Sequence, residues 1–148
     1  MITAFNLVYS LAAVRRMVSD RFQVVRIEKW WRVVLVVFRG CRPRFMSQQA
    51  FKNHFVQWRK LQAQALSVRQ FQPLRYVVGN EAKRSAYLVE CRSDAIECEC
   101  DDYKNQIEFL GKGCCKHSYA VLSVLGFDSL QAYVKAHGSG GYLRSQVN

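Results

Sequence analysis

The chain has 148 residues, half of them apolar and 13% aromatic, which suits one ordinary folded domain and excludes a wholly disordered one. Its net charge of +11 makes nucleic acid or an anionic surface a plausible partner. The longest uncharged apolar run near the N-terminal tryptophans is Val33–Phe38, flanked by Arg32 and Arg39, so no membrane partner is expected.

Six cysteines are present: Cys41, Cys91, Cys98, Cys100, Cys114 and Cys115. An even count would suit disulfides in a secreted chain. Met1–Val14 is apolar but has no basic residue ahead of it; Arg15 and Arg16 follow instead, which does not fit a secretory signal. The reading is therefore a soluble cytoplasmic protein with reduced thiols, in which clustered Cys and His point to metal.

Residues 1–45 hold nine Arg or Lys against Asp20 and Glu28, a net of +7, and show no clear helix caps before Gly40. The run Trp30–Phe38 fits a buried strand or an interfacial segment. Met46-Ser47 would also make an ordinary translation start, so residues 1–45 form a basic, apolar segment that is either native or not part of the natural product.

From Ser47, which can cap a helix, Phe51, Phe55, Trp58, Leu61 and Ala65 recur at helical spacing and predict an amphipathic helix ending near Val68. His54 lies off this stripe and reads as a surface histidine. Pro73 marks a break. Leu74–Val78 and Ala86–Cys91 read as strands joined by a turn over 79–85, with Tyr87 and Val89 on one face and Leu88 on the other. A turn at Arg92-Ser93-Asp94 leads to a short strand, Ala95–Cys98. A helix is predicted from about Cys115 to Leu125, stopped by Gly126. A last helix over Ser129–Ala136 would be capped by Asp128, with His137 at its end and a flexible tail from Gly138. Four parts result: 1–45, a helix in 46–72, a central unit in 73–126, and a C-terminal helix and tail in 127–148. The fold class expected is α+β: short antiparallel strands, a zinc loop and a helix, flanked by a helix on either side.

The central unit contains Cys98-Glu99-Cys100, fourteen intervening residues, then Cys115-Lys116-His117. Two cysteines at i and i+2 can converge on one ion where a strand ends, and a Cys and His at i and i+2 where a loop enters a helix. Three thiolates and one imidazole suit tetrahedral zinc, and soft sulfur disfavours magnesium or calcium. Four protein ligands leave no open position for water, so the site would be structural, with 101–113 as the loop it closes. The helix beginning near Cys115 would favour thiolate through its positive end. Cys114 with His117 is an alternative ligand pair, and Cys91 reads as a small buried hydrophobe.

The stretch from Leu74 to Leu125 resembles a SWIM-type zinc finger: two strands, C-x-C, a variable loop, and C-x-H opening a helix. Cys115-Lys116-His117-Ser118-Tyr119-Ala120-Val121-Leu122 is similar to the family's C-K-H followed by small and aliphatic residues, and Tyr103 matches an aromatic often found three positions after the second cysteine. The resemblance covers about a third of the chain and implies one zinc ion on Cys98, Cys100, Cys115 and His117. SWIM modules accompany transposases, helicase-like ATPases and ubiquitin-pathway proteins, where they bind DNA or protein; this chain would be a stand-alone module.

For nucleic acid, Lys52, Arg59, Lys60, Arg69, Arg75, Lys83 and Arg84, interleaved with Trp58, Phe71 and Tyr76, offer a phosphate-contacting face or simply the solvated sides of a helix and hairpin. The zinc segment is acidic, with Glu97, Glu99, Asp101 and Asp102 among its carboxylates, which opposes phosphate and leaves a protein partner as the alternative. No phosphate-binding glycine loop, H-E-x-x-H or carboxylate with a partner base is found, so neither catalysis nor a small-molecule substrate is expected.

Overall fold

A computed structural model describes residues 1–138. The tail expected beyond Gly138 lies outside them. The chain divides into two compact units, Met1–Trp58 and Arg59–Asn148, each with its own antiparallel sheet, and the division falls inside one helix. The α+β expectation holds, with more structure than the sequence pattern announced.

In the first unit, α1 (Ala4–Val8) and α2 (Leu11–Met17) start at Thr3 and Ser10, whose hydroxyls accept from the Asn6 and Ala13 amides. The caps judged missing from the sequence are therefore present. Strands β1 (Val24–Lys29), β2 (Val33–Phe38) and β3 (Arg44–Ser47) form a sheet in that order. The run Val33–Phe38 is its central strand. Because side chains alternate across a strand, Val34, Val36 and Phe38 are buried while Val33, Leu35 and Val37 are half-buried on the other face. The buried face packs with Tyr9, Ala13, Val14 and Phe51.

Helix α3 (Gln48–Ala63) opens at Ser47, whose hydroxyl accepts from the Ala50 amide as expected. It ends at Ala63 instead of near Val68. Its last turn tightens into three-residue bonds, Gln64 to Leu61, Ala65 to Gln62 and Leu66 to Ala63. Val68 then pairs with Val78 as part of β4 (Ser67–Gln72). The predicted apolar stripe also stops early: Phe51 is buried, but Leu61 is 55% exposed, and Ala63 takes the buried position.

In the second unit, β4, β5 (Arg75–Asn80), β6 (Ser85–Cys91) and β7 (Ile96–Cys98) form an antiparallel meander. Gly79 and Asn80 belong to β5, so the turn is shorter than expected. The inward face carries Tyr76, Val78, Val89, Cys91 and Ile96, with Tyr76 opposite Val89 and Cys91 opposite Ile96. Helix α5 (Lys116–Leu125) lies against all four strands and contributes Ala120, Val121 and Leu122. Gly126, at φ 86°, ends it as predicted, a conformation that glycine adopts without a Cβ penalty. Helix α6 (Leu130–His137) is capped by Ser129 and not Asp128, and places fully buried Tyr133 against the sheet end, its hydroxyl donating to the Arg92 carbonyl.

The segment after Cys100 departs furthest from expectation. Asp101–Leu110 is helix α4, not a loop. Asp101 and Asp102 occupy its first turn, where carboxylates meet the positive helix end, and Gly111 caps it at φ 76°. No helix among the described residues is long and apolar enough to cross a membrane.

Candidate metal centre

Three elements of the second unit deliver four donor side chains to one point. Strand β7 ends at Cys98, Cys100 opens α4, and Cys115 opens α5 with His117 in its first turn. The donor atoms of Cys98, Cys100, Cys115 and His117 all lie within 4.8 Å of one another, and all four residues are buried. His117 Nδ1 is 3.7 Å from both Cys98 Sγ and Cys115 Sγ. A zinc tetrahedron with Zn–S near about 2.3 Å and Zn–N near about 2.0 Å has an S–N edge of roughly 3.5 Å. The chemistry and spacing of this donor set therefore fit a metal ion such as zinc.

Each of two sulfurs has a second task. Cys100 Sγ accepts from the Tyr103 amide and Cys115 Sγ from the Ser118 amide, both at 3.4 Å, so the cysteines are helix N-caps. Sulfur thus meets the positive ends of two helices, one more than the sequence suggested, and both favour thiolate. Hydrogen bonds from the Cys100 and Cys98 thiols hold Cys115 far below the ordinary thiol range. The same sharing pushes Cys98 up, and Cys100 up to about 11. The Ser118 hydroxyl, 3.3 Å from Cys115 Sγ, donates to the Ile96 carbonyl and ties α5 to β7 beneath the site. The Tyr87 ring lies 4.7 Å from that of His117.

Cys114 does not join the cluster, although spacing alone left it a rival to Cys115. Its backbone has another role. Gln106, 2% exposed, accepts from the Cys114 amide at 2.8 Å and donates to the Cys114 carbonyl at 3.3 Å. Gln106 Nε2 also donates to Asp102, which receives a two-pronged ion pair from Arg59 at 2.8 and 2.9 Å. The chain Arg59–Asp102–Gln106 thus fixes the backbone one residue before a donor cysteine. Gly113 permits this close return, because a Cβ there would sit 3.0 Å from Gln106 Cβ. Gln106 was missed in the sequence; its signal, a polar residue on the inward side of a helix, was hidden by reading α4 as a loop.

The seven basic candidates are dispersed. Lys52 belongs to the first unit and the other six to the second. Arg59 pairs with Asp102, Lys60 lies 3.4 Å from Asp128, and Arg75 lies 3.7 Å from Glu90. Arg69, Lys83 and Arg84 are exposed. Of the aromatic residues read beside them, Tyr76 is a core residue, Trp58 has the Arg16 guanidinium 4.1 Å over its ring, and Phe71 is exposed. His54, read as a surface residue, is half-buried and stacks on Trp58. Cys91 is buried as expected, and burial raises its thiol to about 11. Comparison with known proteins returns no match: no family, no curated protein and no solved structure proves similar to this chain.

Proposed function

We propose that this chain is a zinc-binding module of SWIM type whose Cys98, Cys100, Cys115 and His117 hold one structural zinc ion, and that it binds nucleic acid. The observation that carries the metal reading is the buried Cys3His quartet, with four donor atoms within 4.8 Å. Four protein donors complete a tetrahedron, so the ion stabilises the fold and leaves no position for a reactive water. The nucleic-acid reading is supported by charge. The first unit holds ten Lys or Arg against two carboxylates, a net of +8, and the second a net of +3.

Metal analysis of the purified full chain tests the first part. About one zinc per chain is expected, lost in Cys98→Ser, Cys115→Ser and His117→Ala and kept in Cys114→Ser. Zinc kept in Cys115→Ser but lost in Cys114→Ser would overturn the ligand assignment. Retardation of labelled DNA or RNA that weakens steeply from low to moderate salt tests the second part.

One observation favours a protein partner instead. Beside the quartet a groove floored by Leu88, Tyr103 and Ile107 is rimmed by Glu90, Glu97, Glu99 and Glu108. Lys104 also lines it, and Glu90 and Glu97 are paired with Arg75 and Arg92, which leaves Glu99 and Glu108 beside the apolar floor to receive a basic peptide side chain.

A further inference from the structure

One face of the first sheet packs on the core of its unit. Its inward residues meet Tyr9, Val14 and Phe51, while Val33, Leu35 and Val37 lie on the opposite face, outside that core. Register places Glu28 and Phe45 opposite Leu35, and Arg26 opposite Val37, so all three share this outer face. Trp30 extends the same row, since its amide donates to the Val33 carbonyl across the hairpin.

The face is aromatic and exposed. Trp30 and Phe45 are 48% and 55% exposed and lie 5.1 Å apart, while Trp31 at the hairpin tip is 87% exposed with the Arg32 guanidinium 6.0 Å over its ring. Exposing three such rings forgoes burial that each would otherwise contribute. The tip is nevertheless fixed: the Gln48 amide donates to the Trp30 carbonyl at 2.6 Å and to that of Trp31 at 3.3 Å. The one carboxylate on the face, Glu28, is engaged by Arg26 at 2.7 Å and by the Trp30 indole at 3.1 Å. Arg32 flanks Trp31 at one end of β2, and Arg39 and Arg42 are exposed in the β2–β3 turn at its other end, while Arg44 opposite Val36 is on the inner face by register.

We infer that the outer face of the β1–β2–β3 sheet is a stacking platform for single-stranded nucleic acid. The inference rests on the nucleic-acid reading above and moves the interface from the zinc unit to the first unit. Exposed rings offer stacking planes that unpaired bases can occupy and that bases inside a duplex, already stacked, cannot. Arg32 beside Trp31, and Arg39 and Arg42 further along the strand, supply phosphate contacts without reading sequence. A peptide partner for an apolar, basic face would need acidic and apolar groups together, whereas a single strand brings phosphate and π-surface in every residue.

The test uses the full zinc-loaded chain, a fluorescein-labelled oligo(dT) and a hairpin duplex of equal length, read by anisotropy. Trp31→Ala and Phe45→Ala should each weaken oligo(dT) binding about tenfold or more, by the usual worth of a base–aromatic stack. Trp31→Phe should restore binding, and Val124→Ala, at an exposed position of the second unit, should leave it unchanged. Zinc content and circular dichroism establish that the variants fold. Binding that survives both sheet variants overturns this inference and leaves the nucleic-acid reading standing. Tighter binding to the duplex also overturns it. No binding to any nucleic acid at low salt overturns both. Self-association abolished by Trp31→Ala, without nucleic-acid binding, would show the face to be an interface between copies.

Discussion

The two units solve the same problem with different materials. The first fills its interior with Tyr9, Val14, Val34, Val36, Phe38 and Phe51, side chains whose burial is favourable without any partner. The second begins likewise, with Val78, Val89, Ile96, Val121 and Leu122, but its end near β7 is packed with three sulfurs and an imidazole. As thiolates, those sulfurs would be costly to bury unless something compensated them. The first unit thus owes its stability to area removed from water, whereas the second, with the proposed ion bound, would depend on that ion's free concentration.

Chelation should separate the units most sharply. Removing a structural zinc from such ligands forfeits about 10 kcal/mol or more, comparable to the whole net stability of a domain. Amides of β5, β6, β7 and α5 should then lose hydrogen-exchange protection while those of Val34 and Val36 keep theirs. Loss of protection in both sets together would break the comparison. The converse change is Phe51→Ala, in which a fully buried ring is removed from the first core. It should cost about 3–5 kcal/mol and lower the denaturant midpoint of the first unit, with zinc stoichiometry unchanged.

A smaller change sharpens the account of how the metal centre is built. Gln106→Ala removes both hydrogen bonds to the Cys114 backbone and should cost about 1–3 kcal/mol. Because that backbone leads into Cys115, zinc affinity should fall about 10–100-fold in a competition titration with a chromophoric chelator. Unchanged affinity would reduce Gln106 to a packing residue. The smallest effect concerns pH. Burial raises the Cys91 thiol from 9.0 to about 11, so the folded chain holds this proton after the unfolded chain has released it. That contribution is fully present below about pH 9 and is lost as pH rises through about 11. Urea midpoints of Cys91→Ala should therefore decline less than those of the parent chain across that interval.

What the sequence disclosed depended on whether local chemistry decided the structure. The clustering of Cys98, Cys100, Cys115 and His117, the Ser47 cap and the Gly126 stop each express a preference carried by a few adjacent residues and are found where expected, and the β5–β6 hairpin forms with a shorter turn. Strand β4 was not legible, because Ser67–Gln72 is mostly polar and exposed and becomes a strand through its pairing with β5. Helix α4 was legible in principle: Asp101 and Asp102 at its start, Tyr103 and Ile107 four apart, and Gly111 at its end are ordinary helix signals. The expectation of a metal-closed loop overrode them. The first unit was the hardest, since Thr3 and Ser10 cap helices of only five and seven residues, too short to show periodicity.

The arrangement of the four donors also bears on the order in which this chain can fold. Cys98 and His117, the outermost pair, are only 19 residues apart, so bringing them together closes a short loop at modest entropic cost. The sulfurs that would meet the ion are the same atoms that start α4 and α5. Capture of the ion would therefore fix the first turn of two helices at once, the step that makes isolated helices slow to nucleate. A local event of this kind can run ahead of the longer-range pairing of β4 with β5 and the docking of α6. In kinetic terms, the metal centre is placed where it can act as the seed of its unit, and availability of zinc at the moment of synthesis would set how quickly the rest can follow.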